Sequence, residues 1–303
     1  MRATIQLCTY NRATLLRRVL EACFAQQHVA FDAYEVVVVN DGSSDATPRV
    51  LEDVAKRATC AFAVLHQRNA GLAAARNAGV ARSRGERIIF IDDDVLVTPR
   101  FVAEHLRAHE RLPAAIVRGG VINTETFDDL PPPVWSLRNY SGNFFWTTNV
   151  SLPRSRLEAL GGFNETFREY GWEDIELGLR LRFAGTQSTF NPKALVYHLK
   201  PPLRARDVER MVRQARAQAR TARELYRLHP HWRVVLATGD DPFNRAARRM
   251  ARRIMPPEGL AERFAQRDPE SILSRRQRRG ARALATAAYY EELDAAHRTA
   301  AAR

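Results

Sequence analysis

Three consecutive carboxylates, Asp92, Asp93 and Asp94, follow directly on the apolar run Ile88-Ile89-Phe90-Ile91. Like charges this close repel, so their joint ionisation calls for a cation or hydrogen-bond donors nearby. Hard carboxylate oxygens suit Mg²⁺ or Mn²⁺, ions that commonly share their coordination shell with substrate phosphates. Asp92 and Asp94 emerge on one side wherever the backbone stays extended. A solvated acidic turn is the alternative, disfavoured by the buried strand ahead of it. A second cluster, Asn40-Asp41-Gly42-Ser43-Ser44-Asp45, follows four valines. It has the chemistry of a strand-to-helix turn, and Asp41 is also a candidate acceptor of hydrogen bonds from a nucleobase. A third pairs Arg68-Asn69-Ala70-Gly71 with Arg76-Asn77-Ala78-Gly79. Gly71 opens a helix whose free N–H groups and positive end suit a diphosphate, with Arg68 and Arg76 adding charge-assisted contacts. An ordinary loop and an exposed helical arginine account for the same residues equally well.

The elements that must position these clusters alternate. Strands are expected over 3–8, 35–40, 61–66, 87–91 and 115–122. The four valines of the second suggest burial on both faces, as in a parallel sheet. Helices are expected over 14–26, from the Asp41–Asp45 turn to about 57, over 71–83, and onward from Thr98-Pro99 as cap and first position. Such alternation indicates an α/β fold with a doubly wound, mostly parallel sheet flanked by helices. Ligands of these sheets sit beyond the carboxyl ends of the strands, which is where both acidic clusters fall. Residues 123–144 read as a long irregular loop around Pro131-Pro132-Pro133, of the kind that often carries function. A strand over 145–152, a short helix over 153–160, a helix over 173–184 and an extended segment over 188–198 follow. After Pro201-Pro202 the pattern changes to long arginine-laced helices, first over about 203–228, with a second break at Pro256-Pro257. The last forty residues read as helical or partly disordered.

The chain has 303 residues, 45% hydrophobic and 27% charged, which is the composition of a globular protein. No run approaches the roughly 18–20 apolar residues that span a bilayer. The N-terminus lacks the layout of a signal peptide, so a cytoplasmic location is expected. Cys8, Cys23 and Cys60 have no paired spacing, which argues against a disulfide framework or a cysteine zinc site. The formal net charge is +13, and it is unevenly spread: residues 201–303 hold 23 Lys and Arg against 12 Asp and Glu, while residues 1–200 hold 24 against 22. A basic surface attracts phosphates, anionic lipid or nucleic acid. The C-terminal third is therefore a candidate for docking on the inner face of a membrane, for covering an acceptor groove or for pairing subunits. A solvated arginine-rich face is the plainer alternative.

Thr9-Tyr10-Asn11-Arg12, Asn40-Asp41-Gly42-Ser43-Ser44-Asp45, Asn69-x-Gly71 with Ala75-Arg76-Asn77, and Asp92-Asp93-Asp94 occur in the order typical of the family 2 glycosyltransferases. Over about residues 1–200 the chain resembles that family, with its GT-A fold. The resemblance implies that Asp41 reads the base of a nucleotide and that Thr9 to Arg12 pack on it. It implies that Asp92 and Asp94 belong to the acidic motif that holds the ribose and a divalent metal, Mn²⁺ or Mg²⁺, on the diphosphate, with Asp93 between them. Gly161-Gly162-Phe163-Asn164-Glu165 and Gly171-Trp172-Glu173-Asp174-Ile175-Glu176 resemble the acceptor segment of galactosyl- and N-acetylgalactosaminyltransferases and of bacterial glycan polymerases. There the aspartate of the Glu-Asp pair is the general base, so Asp174 is implied as the catalytic base beside Glu173. A sugar hydroxyl is a poor nucleophile, and a positioned carboxylate must take its proton. Without the resemblance, Glu173, Asp174 and Glu176 would simply complement a helix N-terminus. Trp172 either stacks on an acceptor sugar or anchors its loop in the core. His198 matches the position of a third metal ligand in many related enzymes.

The expectation is an inverting, metal-dependent transfer from a nucleotide-sugar, a UDP-sugar by family habit, to a glycan, lipid-linked or small-molecule acceptor. The catalytic domain would be residues 1–200, followed by a basic helical region over 201–303, and subunit association is open. A nucleotidyltransferase acting on sugar phosphates would carry a glycine-rich loop after the first strand, where Thr9-Tyr10-Asn11-Arg12 stands instead. A basic nucleic-acid-binding protein is disfavoured by the nearly neutral front and the absence of a recognised motif. A nicotinamide oxidoreductase would show G-x-G-x-x-G after the first strand.

Overall fold

The computed structural model describes residues 1–254 and 259–301. The chain forms two compact units, residues 1–168 with 173–201 and residues 169–172 with 202–303. The Pro256-Pro257 break lies outside the described residues.

The first unit is built on one eight-stranded sheet. Its strands are β1 (Ala3–Thr9), β2 (Tyr34–Asp41), β3 (Ala61–Gln67), β4 (Arg87–Ile91), β5 (Val95–Val97), β6 (Ile116–Thr124), β7 (Asn149–Pro153) and β8 (Ser188–Leu199), in spatial order β3-β2-β1-β4-β7-β6-β8-β5. Strands β3, β2, β1 and β4 run parallel, β7 is antiparallel to β4 and β6, β6 and β8 are parallel, and β5 is antiparallel to β8. Six of the eight strands therefore share one direction. The intervening helices are α1 (Ala13–Phe24), α2 (Thr47–Ala55), α3 (Leu72–Arg82), α4 (Phe101–Arg111), α5 (Arg154–Ala159) and α6 (Glu173–Phe183).

Successive strand residues point to opposite faces, and both faces are apolar. Ile5, Leu7, Val36, Val38, Ile89 and Ile91 pack with Leu16, Val19, Leu20, Leu51, Val54 and Phe101 of α1, α2 and α4. Ile88 and Phe90, with Val150, Leu152 and Ile116, pack with Ala73, Val80, Leu157, Leu177 and Leu181 of α3, α5 and α6. All four valines from Val36 to Val39 are fully buried, as the uninterrupted run predicts. Each such side chain contributes about 1.5–3 kcal/mol on burial. The sheet is thus covered by helices on both sides.

The structure moves two expected boundaries and adds one strand. The strand expected over 145–152 begins only at Asn149. Phe145 instead turns into the core, edge-on to Phe90 at 6.1 Å, and the hydroxyls of Thr147 and Thr148 are taken by side chains described below. The helix expected from Thr98-Pro99 starts at Phe101, because the Thr98 hydroxyl donates to Leu195 O at 3.0 Å rather than capping. Between the aspartates and that helix lies β5, three residues that sequence periodicity does not resolve.

The second unit is helical: α7 (Asp207–Leu228), α8 (Trp232–Thr238), α9 (Pro242–Ile254), α10 (Leu260–Ala265) and α11 (Arg275–Ala301). Alanines let α7 approach α11 closely, with Ala219 and Ala222 packed against Tyr289 and Leu293. Ala205 and Val208 pack with Phe264, Leu273 and Ala281.

Candidate functional site

Because β1, β2, β3 and β4 are parallel, their carboxyl ends share one edge of the sheet, and each delivers polar residues there. Beyond β1, Asn11 adopts a left-handed φ of 54°. Its side-chain oxygen accepts from the N–H of Ser44 at 2.8 Å and of Asp45 at 3.3 Å, tying this loop to the one after β2. Tyr10 is half exposed beside it. The turn after β2 requires Gly42: φ is +81°, and a Cβ there would stand 2.7 Å from the backbone N of Asn69. Asp41, at the end of β2, is buried. Its carboxylate accepts from Gln67 Nε2 at 2.7 Å, Ala70 N at 2.9 Å and Gly71 N at 3.1 Å. The Gly71 N–H that sequence reasoning turns toward a diphosphate thus donates to Asp41, while Arg68 and Asn69 remain exposed.

Register explains how the triple aspartate finds its neighbours. Ile91 pairs with Asn149, so Thr147 and Thr148 arrive beside the end of β4. Val95 pairs with His198, which brings the imidazole next to Asp94. Thr148 donates to Asp92 Oδ2 at 2.5 Å and Thr9 to Asp93 Oδ2 at 2.9 Å. His198 Nε2 lies 3.3 Å from Asp94 Oδ1, and Arg12 stands 3.4 Å from Asp93 and 3.8 Å from Asp94. Asp92, Asp94 and His198 each offer a ligand atom, all within 4.8 Å of one another. The buried His198 Nδ1 has no hydrogen-bond partner among the described residues. Two carboxylates and an imidazole fit a divalent cation, Mn²⁺ better than Mg²⁺.

Arg76 sits between this cluster and α6. It is 4% exposed. Nη1 donates to Glu173 Oε1 at 2.7 Å and Nη2 to Thr147 Oγ1 at 2.5 Å, with Asp92 Oδ1 at 3.7 Å from Nη2. Its guanidinium is thus engaged inside the protein, which contradicts the alternative of an exposed helical arginine. Next along α6, Asp174 accepts from the N–H of Ile175 at 2.7 Å. Asn77 makes a two-way bond with the backbone of Phe163, at 2.9 and 2.8 Å, which fixes the Gly161-Gly162 turn against α3. Trp172 belongs to the second unit, where Nε1 donates to Gln218 O at 2.8 Å and the ring packs with Ala219 and Tyr289. These contacts tie the indole to its own unit, and the backbone φ of Trp172 is 72°.

Burial and neighbouring charge set the protonation of these groups. Burial, reinforced by Glu173, pushes Asp174 up to about 7, against the pull of Arg76. Burial raises Asp93 to about 6, with Arg12 and Thr9 acting the other way. At Asp94 burial is outweighed by the hydrogen bond and charge of His198, then by Lys200 and Arg12, so its carboxyl lies below the usual range. Adjacent aspartates are thus driven apart, one prone to hold a proton and one firmly ionised. Sequence reasoning missed Thr147, Thr148 and Lys200. The two threonines fall in a stretch that reads as plain strand, and their signal is positional only.

Residues 4–161 match a family described as glycosyl transferase family 2, and residues 136–201 match one described as the N-terminal domain of galactosyltransferase. Among curated relatives is validoxylamine A glucosyltransferase of Streptomyces hygroscopicus subsp. jinggangensis, 31% identical over 222 residues, which cover 61% of this chain and 52% of that protein. The chain spans about half the length of such curated relatives. Among solved structures, the mannosyltransferase PcManGT of Pyrobaculum calidifontis, in complex with GDP-Man and Mn²⁺, superposes with a TM-score of 0.63 at 18% identity, covering 96% of this chain and 86% of that one. TarS 1–349 of S. aureus, in complex with UDP, gives 0.57 at 16%, covering 99% and 92%. At these identities the likeness is one of fold, the GT-A arrangement of a mixed sheet flanked by helices.

Proposed function

The chain belongs to glycosyl transferase family 2, and we propose that its first unit moves a sugar from a nucleotide-sugar to an acceptor hydroxyl with inversion at the anomeric carbon. The observation that carries the reading is the single rim shared by the cation-ready Asp92, Asp94 and His198 and, through Arg76, by the Glu173-Asp174 start of α6. Solved neighbours of the same fold hold GDP-Man with Mn²⁺ and UDP, which favours a nucleotide-sugar donor. A UDP-sugar is the donor we favour, in keeping with the galactosyltransferase match over residues 136–201.

In this reading Thr9 to Arg12 and Asp41 cradle the nucleoside. Asp41 holds the loop of Asn69 to Gly71 in place with one carboxylate oxygen still able to accept from a base. Asp92, Asp94 and His198 would hold the divalent ion, which would supply positive charge at the diphosphate, a Lewis-acid contribution worth several kcal/mol. Arg76 fixes Glu173, and Asp174 accepts the proton of the acceptor hydroxyl. The new bond forms between that oxygen and the anomeric carbon as the bond to the diphosphate breaks. One displacement needs no covalent sugar-enzyme intermediate. Burial gives Asp174 a pKa near the operating range, where a general base is most effective.

The test is a donor panel: thermal stability against UDP-, GDP- and dTDP-sugars, each with and without Mn²⁺. One donor is expected to raise the melting temperature in a metal-dependent way. Asp94→Ala is expected to lose that dependence, with calorimetry showing donor affinity down by roughly tenfold or more, as for loss of a charge-bearing ligand. Unchanged donor affinity of Asp94→Ala with Mn²⁺ would remove Asp94 from the metal site. No stabilisation by any nucleotide-sugar would remove the transferase reading.

A further inference from the structure

Two consecutive helices of the second unit turn apolar side chains outward. In α9, Phe243 is 79% and Met250 65% exposed, and Ala246 and Ala247 between them are exposed as well. Positions 243, 246, 247 and 250 follow the spacing of a single helical face. The other side of the helix is the one that engages its unit. Arg245 pairs with Asp240 at 2.7 Å. Arg248 donates to Asn244 O at 3.0 Å and to Gly239 O at 2.8 Å, and lies over the ring of Tyr290. This reverses the usual arrangement, in which the apolar face takes the burial. In α8, Val234 and Thr238 are buried while Trp232 is 58% and Leu236 56% exposed.

The segment that carries these side chains is basic on balance: residues 232–254 hold six arginines against Asp240 and Asp241. The sequence of α9, PFNRAARRMARRI, holds five arginines and no acidic residue, and that of α8, WRVVLAT, holds one arginine and no acidic residue. We propose that the exposed apolar side chains of α8 and α9 dock on an anionic lipid surface. Trp232, Leu236, Phe243 and Met250 enter the boundary between headgroups and acyl chains, and the exposed Arg233, 4.5 Å over the Trp232 ring, meets the lipid phosphates. At 13 residues, α9 is about 20 Å long. That is too short to span a bilayer and sufficient to lie in its plane. Among the described residues no helix is long and apolar enough to cross a membrane, so this contact is peripheral. A second copy of the chain fits the surface poorly, because self-pairing sets arginine against arginine.

The test uses the full chain, co-sedimented with vesicles of phosphatidylglycerol and phosphatidylcholine or of phosphatidylcholine alone. Binding to the anionic vesicles is expected, weaker by about tenfold or more in roughly 0.5 M salt. Tryptophan emission shifts to the blue on binding, and Trp232→Phe removes the shift. The double variant Phe243→Ser, Met250→Ser lowers partition by roughly tenfold or more, with circular dichroism unchanged. Donor turnover in solution is also unchanged in this variant, which separates the lipid surface from the transferase reading. No binding, equal binding to both vesicles, or a wild-type dimer that the double variant dissolves would overturn the proposal.

Discussion

Asp174→Asn is expected to lower turnover by roughly 10²–10⁴-fold while leaving donor affinity near normal. Asparagine keeps the shape of the side chain and can still accept the hydrogen bond from Ile175 N, so the start of α6 should hold. What it cannot do is take a proton. The wild-type pH profile provides a second readout. A base works only when ionised, and burial has pushed Asp174 up to about 7. Below that value turnover should fall about tenfold per pH unit, and above it the profile should level. The sign is opposite for stability: a carboxyl whose pKa is raised in the folded state favours the fold when protonated, and this contribution is lost as pH climbs toward 7. Activity and stability should therefore move in opposite directions across the acidic range. Full activity in Asp174→Asn, or a flat profile between about pH 5 and pH 8, would reject the assignment.

Arg76→Met is expected to cost roughly 3–5 kcal/mol of stability, the usual penalty for stripping one partner from a buried ion pair. Arg76 and Glu173 have side chains only 5% and 8% exposed and meet at 2.7 Å. Burial works to lower the pKa of Arg76, but Glu173 and Asp92 more than offset it, so its charge is secure. Methionine would leave Glu173 buried without a counter-charge and free the Thr147 hydroxyl. The double variant Arg76→Met, Glu173→Gln removes the stranded charge and should recover a large part of the loss. Urea unfolding of the two variants checks this. A loss under about 1 kcal/mol in the single variant, or no recovery in the double, would show that the pair is not what joins α3 to α6.

The sheet was legible because its information is local. Four valines in a row leave no polar face, and both faces are indeed covered. The aspartates were legible for the same reason: a strand that ends in three carboxylates carries its own physical problem with it. Long-range pairing was not legible. Arg76 and Glu173 lie 97 residues apart, and no spacing tells that one guanidinium will serve Glu173, Thr147 and Asp92 together. An arginine on an alanine-rich helix looks solvent-facing until α6 arrives. Thr147 and Thr148 were hidden by their setting, since two β-branched residues before Asn149 look like strand. Trp172 offered two roles of equal merit, and its indole N–H, bonded to the backbone of Gln218, supports the anchoring one. On α9, arginine count drew attention to charge, while the outward face of Phe243 and Met250 shows only once the helix is placed.

The most direct measurement on the site is the anomer released when the donor is slowly hydrolysed without an acceptor, recorded by proton NMR before mutarotation. Water takes the place of the alcohol, so no acceptor need be known. An α-linked donor should give the β-sugar first, with the rate collapsing in Asp174→Asn. Initial release of the α-sugar would mean a retaining route, and with it the account of Asp174 as base in a single displacement would fail.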